Sequence, residues 1–255
     1  MSAAESSYRL EIRDATVAYN RVPAIHHLNL TIEGGHCVAL MGPNGAGKTT
    51  LLKTIAGLLS VETGEITFHG LGLKRVASEI AYLPQREQVD WDFPITVRAL
   101  VEMGCYIGLG WWRRFGEEQC KTVDEAIATM HLESLAHRQI SALSGGQQQR
   151  AFLARSLAQK AKIFLLDEPF TGLDRPSQEN LARTMRDLAA QGYLVIASHH
   201  DLKNAADFFD QMIFLNGELI AFGDSKTVFT EENLARTFNT EVFSGAEPPP
   251  HHHYH

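Results

Sequence analysis

The sequence predicts an α/β fold: a mainly parallel sheet at its centre, an antiparallel β subdomain on the N-terminal side, and an α-helical subdomain inserted between. Three observations predict it. The run CVALMG, Cys37 to Gly42, is apolar enough for a buried strand and leads straight into a glycine-rich turn and a helix-forming stretch. IFLLDEP and YLVIASHH are two further apolar runs of strand length, separated by the amphipathic SQENLARTMRDLAAQG, which is the spacing of a βαβ unit. Buried strands alternating with helices require a parallel sheet covered on both faces.

Taken in order, RLEIRDATVAYN and HLNLTIEGG alternate polar and apolar residues, as strands with one solvated face do. After CVALMG, the stretch TLLKTIAGLL reads as a helix, Glu62 to Gly64 as a turn and GEITFHG as a strand. IAYLPQ marks the entry to a mostly helical region from about 86 to 159, in which FPITVRALVEMG opens a helix after Pro94. QMIFLNGELIAFGD reads as a β-hairpin around Asn216 and Gly217, followed by a short helical tail. The expected organisation is one domain over 8–240, with 241–255, ending in HHHYH, as a disordered tail.

Composition narrows the function classes. A chain of 255 residues that is 44% apolar can bury a sizeable core, and a formal charge of −7 argues against nucleic acid as the principal ligand. Cys37, Cys105 and Cys120 lie far apart with no CxxC pair, so neither a disulfide framework nor a cysteine zinc site is indicated, and a reducing cytosol fits. No basic-then-apolar signal opens the chain, and its most apolar candidate span, Leu100 to Trp112, is shorter than the about eighteen residues a membrane helix needs. A role at a membrane would need another chain to cross it.

The chemistry resides in two motifs. GPNGAGKT, Gly42 to Thr49, fits G-x-x-x-x-G-K-T between a buried strand and a helix, the context of a phosphate loop. Backbone N–H groups of Gly42, Pro43, Asn44, Gly45, Ala46, Gly47, Lys48, Thr49 and Thr50 (proline excepted) can curl around phosphates, Lys48 adds a mobile positive charge, and the Thr49 hydroxyl can ligate Mg²⁺. This makes the core that of a phosphate-loop NTPase. IFLLDEP supplies the counterpart: Asp167 at a strand end to hold Mg²⁺, and Glu168 beside it to polarise an attacking water.

A third motif is LSGGQ, Leu143 to Gln147, whose Ser144 and Gln147 have capping-box spacing at the start of a helix. Phosphate loop, LSGGQ and LLDEP, in that order, resemble the ATP-binding cassette (ABC) ATPases from Tyr8 to about Gly223. The resemblance implies ATP and Mg²⁺ as ligands and a head-to-tail homodimer in which Ser144, Gly145, Gly146 and Gln147 of one protomer close over ATP on the other. It also implies that Tyr19, in a turn, stacks on adenine, that Gln85 reaches Mg²⁺ and the water, and that Gly172 to Asp174 sense the other protomer. Of the two histidines in ASHHD, it assigns the γ-phosphate contact to His200, with His199 where Ser or Thr is frequent.

One uninterrupted cassette favours transport with a separate integral-membrane permease dimer over a soluble role in repair, translation or regulation. VDWDFP with HHDL resembles the ATPases of manganese, zinc and iron importers, manganese most closely, which implies an extracytoplasmic metal-binding protein as an indirect partner and a peripheral position on the cytoplasmic face of the membrane. The alternative for DWDFP is a plain turn, with Pro94 fixing φ and Trp91 and Phe93 buried. Trp111, Trp112, Arg113 and Arg114 read either as a contact near permease or lipid headgroups or as packing plus solvated charge. HHHYH reads as a metal-binding tail, a disordered end or an added tag.

Overall fold

The computed structural model describes residues 8–19, 22–109 and 115–238. Two long strands open the chain, β1 (Arg9–Tyr19) and β2 (Val22–Glu33), paired antiparallel with bulges between Ile12 and Ala18. Leu10, Ile12, Ala15 and Val17 are buried while Arg9, Arg13 and Asp14 face solvent, so the alternation in the sequence becomes one packed and one wet face. β3 (Cys37–Met41) is buried throughout and leads through the glycine-rich turn to α1 (Lys48–Ile55). That helix starts earlier and ends earlier than TLLKTIAGLL suggests. Its closing carbonyls are taken by the N–H groups of Gly57 and Leu58, which bond Thr54 O and Lys53 O and turn the chain out of the helix.

β4 (Thr63–Phe68) and β5 (Leu71–Gly72) complete a four-stranded antiparallel sheet in the order β2-β1-β4-β5. IAYL then forms β6 (Ile80–Leu83), the edge strand of the main sheet, where the sequence pattern pointed only to a transition. The helical layer follows: α2 (Val97–Leu109), α3 (Glu117–Thr129) and α4 (Gly145–Ala158). The βαβ unit is β7 (Ile163–Leu166), α5 (Arg175–Ala190) and β8 (Leu194–His199). After α6 (Leu202–Phe208), the hairpin of β9 (Gln211–Leu215) and β10 (Leu219–Asp224) precedes α7 (Ser225–Val228) and α8 (Glu231–Phe238).

The main sheet runs β10-β9-β3-β8-β7-β6, parallel except for β10. Side chains of β3 alternate between two cores. Cys37, Ala39 and Met41 pack with α5 and the helical layer, while Val38 and Leu40 pack with α1 and the antiparallel sheet. The sheet is therefore sealed on both faces, and only its strand ends are free to build a site. Trp111, Trp112, Arg113, Arg114 and HHHYH fall outside the described residues.

Within the helical layer α2 and α4 touch backbone to backbone. A Cβ on Gly104 would stand 2.2 Å from Arg155 O and 3.0 Å from Gln159 N. Gly104→Ala should therefore lower unfolding stability by about 1–3 kcal/mol through overpacking, despite alanine's better helix propensity. An unchanged urea midpoint for that variant would contradict this packing.

Candidate functional site

The carboxyl ends of β3, β7 and β8 converge because they are parallel and in register: Met41 stands opposite His199, and Leu166 opposite Ala197. The phosphate loop leaves β3 and re-enters the helix at Gly47, whose φ of +96° is a left-handed conformation that glycine adopts without strain. The loop is braced from behind by the β9–β10 hairpin. Gly217 N–H donates to Ala46 O at 3.0 Å, and Gly217 O accepts from His26 N–H of β2 at 2.8 Å. A cavity of about 230 Å³ lies over the loop, lined by Asn44 to Thr50 with Ala24, Gln85 and Glu168.

Lys48 is buried, and its Nζ donates to Gly42 O at 2.7 Å and Pro43 O at 2.9 Å. Burial pushes its pKa below the usual lysine range, and the carboxylates of Glu168 and Asp167 oppose that shift. Asp167 is only 2% exposed, yet both its oxygens are satisfied. Oδ2 accepts from Thr49 Oγ1 at 2.7 Å and weakly from Tyr82 Oη at 3.4 Å; Oδ1 accepts from Ser198 Oγ at 2.7 Å. The same burial, with the charge of Asp167 second, drives the Tyr82 phenol's pKa upward, so it remains a donor.

Glu168 adopts φ +49°, uncommon for a residue with a side chain. Its N–H donates to Ser198 Oγ at 2.7 Å, and its carboxylate receives Gln85 Nε2 at 3.4 Å and Thr171 Oγ1 at 3.3 Å. The hydroxyl of Thr49, the carboxylate of Asp167 and the amide of Gln85 are hard oxygen donors of the kind Mg²⁺ takes alongside substrate phosphates. The Thr49–Asp167 hydrogen bond puts two of them within reach of one ion.

The LSGGQ segment forms the capping box its spacing predicts: Ser144 Oγ accepts from Gln147 N–H at 3.4 Å, and Gln147 Oε1 accepts from Ser144 N–H at 2.9 Å. Part of the reason for its glycines lies within the chain. A Cβ on Gly145 would stand 2.5 Å from Arg86 Nη1 and 2.7 Å from Leu173 Cδ2. Arg86 in turn donates to Gln148 Oε1 at 2.8 Å and lies over the ring of Trp91, whose indole N–H donates to Arg86 O. Gln85 is thus one residue from a cluster that grips the start of α4. Asp174 caps α5, accepting from Ser177 N–H at 3.1 Å.

The structure gathers the phosphate loop, Gln85, Asp167 and Glu168 at one place. It does not bring Ser144, Gly145, Gly146 or Gln147 to that cavity: among the described residues lining it, none comes from the signature segment. His200 is exposed and lies outside the lining, while its neighbour His199 is the buried one, packed against Phe170, Phe208 and Phe209. Tyr19 ends a strand rather than sitting in a turn, because its backbone pairs with Val22; its side chain is not among the described ones. Trp91 is half-buried against Phe152, but Phe93 is 56% exposed, so the reading of both as buried turn residues fails for Phe93. Sequence reasoning passed over Ser198 and Tyr82. The available signal was a lone hydroxyl in each of two apolar strands that flank β7.

Known proteins resemble this chain in sequence and in fold. The model of a protein family described as ABC transporter matches residues 25–171, more than half of the chain. The chain is 40% identical over 243 residues to the zinc transport system ATP-binding protein TroB of Treponema pallidum, covering 95% of this chain and 91% of that protein. It is 41% identical over 231 residues to the manganese transport system ATP-binding protein MntB of Bacillus subtilis, covering 91% and 92%. Among solved structures, cbiO1 of Clostridium perfringens, part of the ABC transporter complex cbiONQ, superposes with a TM-score of 0.78 at 25% identity, over 93% of this chain and 96% of that one.

His199 gives a measurable acid signature. Burial, with His200 adding to it, lowers its pKa from 6.5 to about 4, and Nε2 has no hydrogen-bond partner among the described residues. The unfolded chain protonates first on acidification, so this contribution is whole above about pH 6.5 and drains as pH falls to about 4, by roughly 3 kcal/mol. His199→Leu should flatten that part of the stability profile. Parallel profiles for the two proteins in urea would refute it.

Proposed function

The chain belongs to the ATP-binding cassette (ABC) transporter family and is an ATPase of that family; from this premise we propose that it is the ATP-hydrolysing subunit of an importer for a divalent transition metal. Manganese is favoured, with zinc or iron next, since the similar proteins named above carry zinc and manganese in their descriptions. The reading takes residues 8–240 as a single nucleotide-binding domain with a helical subdomain over 86–159. The observation that carries the mechanism is the separation of LSGGQ from the phosphate-loop cavity within one chain, since a helix start shaped for an anion then needs a second copy to meet one.

In this mechanism ATP lies along Gly42 to Thr50 with Lys48 against its phosphates and Tyr19 beside the adenine. Thr49, Asp167 and Gln85 would hold Mg²⁺, which would supply neutralisation of phosphate charge. The partner protomer's signature segment closes over the γ-phosphate, so the nucleotide makes contacts in the closed dimer that it lacks in the open one. Glu168 accepts a proton from water as the water oxygen bonds to the γ-phosphorus and the bond to the β,γ-bridging oxygen breaks. His200 orients that water once closure carries it to the γ-phosphate. Loss of the γ-phosphate removes the differential contact and the dimer opens.

Closure would be transmitted to an integral-membrane permease dimer fed by an extracytoplasmic metal-binding protein, with this subunit peripheral on the cytoplasmic face. No described helix is long and apolar enough to cross a membrane. The exposed Phe93, and Met103, Tyr106 and Ile107 on one face of α2, offer apolar surface for that contact, in the segment that follows Gln85.

Glu168→Gln should hold an ATP-bound dimer on size exclusion and lower kcat by at least about a hundredfold. Turnover at the parent rate would remove Glu168 from the role of base. Detergent co-purification should recover a stoichiometric integral-membrane subunit, and metal uptake by the reconstituted complex should respond to manganese first. Recovery of a nucleic-acid or ribosomal partner instead would replace transport with a soluble role.

A further inference from the structure

Ser198 is fully buried on β8, opposite Leu40 of β3 and beside the end of β7. Its hydroxyl has one proton to give and uses it on Asp167 Oδ1 at 2.7 Å; it also accepts the N–H of Glu168 at 2.7 Å. One oxygen atom therefore joins the side chain of the metal-facing carboxylate to the backbone of the next residue. Asp167 Oδ2 is fixed independently by Thr49, so the two hydrogen bonds together fix the plane of the carboxylate. Glu168 stands at φ +49°, where its N–H has left the strand ladder and depends on Ser198 for a partner.

We propose that Ser198 is a positioning residue for ATP hydrolysis, setting the Asp167 carboxylate toward the metal and holding the backbone turn that presents Glu168 to the cavity. The proposal rests on the roles given to Asp167 and Glu168 above. Among the described residues no neighbour replaces the hydroxyl: Tyr82 Oη reaches only Oδ2, at 3.4 Å, too far for a strong bond. An alanine at 198 would leave a carboxylate oxygen and an amide N–H buried without partners, and the carboxylate free to rotate about its remaining bond to Thr49.

The full-length chain tests this with Ser198→Ala and Ser198→Thr, using Mn²⁺ as a spectroscopic probe of the protein loaded with a non-hydrolysable ATP analogue. Ser198→Ala should weaken Mn²⁺ binding about tenfold and lower kcat about tenfold, the usual scale for removing a partner of a metal-holding side chain. Affinity for the analogue in the absence of metal should stay within about twofold, since the phosphate loop is untouched, and Ser198→Thr should restore both losses. If the alanine variant does not give folded protein, Ser198→Cys, of similar volume and a weak donor, carries the same comparison. Parent-like Mn²⁺ affinity and kcat, or equal loss of metal-free analogue binding, overturns the proposal. Parent-rate turnover by Glu168→Gln overturns the role of Glu168 instead, whatever Ser198 does.

Discussion

The site depends on one electrostatic problem and its solution. A carboxyl group held at 2% exposure, as that of Asp167 is, needs hydrogen bonds to replace the water it has lost. Its partners come from three other elements: Thr49 from α1, Tyr82 from β6 and Ser198 from β8. They meet because four strands run the same way in register. A slip of one residue in β8 against β7 would turn Ser198 toward the opposite core and take its hydroxyl away from the carboxylate. The register of these strands is thus what brings the hydroxyls to Asp167.

The two cores divide the labour on either side of this sheet. The face under α1 and the antiparallel sheet is built almost wholly from branched aliphatic side chains and carries the phosphate loop. The opposite face holds phenylalanines, alanines and methionines, and from it the helical layer projects. Arg86, one residue beyond Gln85, and Trp91 tie their segment to α4 just after the signature motif, through Gln148 and Phe152. A shift of the helical layer therefore moves the start of α4 and the neighbourhood of Gln85 together.

Much of this was legible in the sequence because the phosphate loop, LSGGQ and LLDEP are local patterns whose spacing is tied to backbone geometry. The buried strands and the Ser144 cap were legible for the same reason. What was missed is non-local. Ser198 and Tyr82 matter only through strands that bring them to Asp167 across 31 and 85 residues of chain respectively, and no periodicity announces such a pairing. β6 is too short for a pattern, and its pairing with β7 decides its conformation. The two histidines of ASHHD illustrate the limit from the other side: β8 ends at His199, which is buried with the rest of the strand, and His200 lies just beyond it, exposed, a boundary the letters alone do not reveal.

The brace at Gly217 has a broader bearing. It joins β2, the hairpin and the phosphate loop using only peptide groups, through Ala46 O and His26 N–H. Ties of that kind carry no side-chain identity, so drift in residue type along the hairpin leaves them intact so long as the turn keeps its shape. β2 and the phosphate loop are consequently welded into one chassis, which leaves the helical layer as the natural place for the molecule to yield.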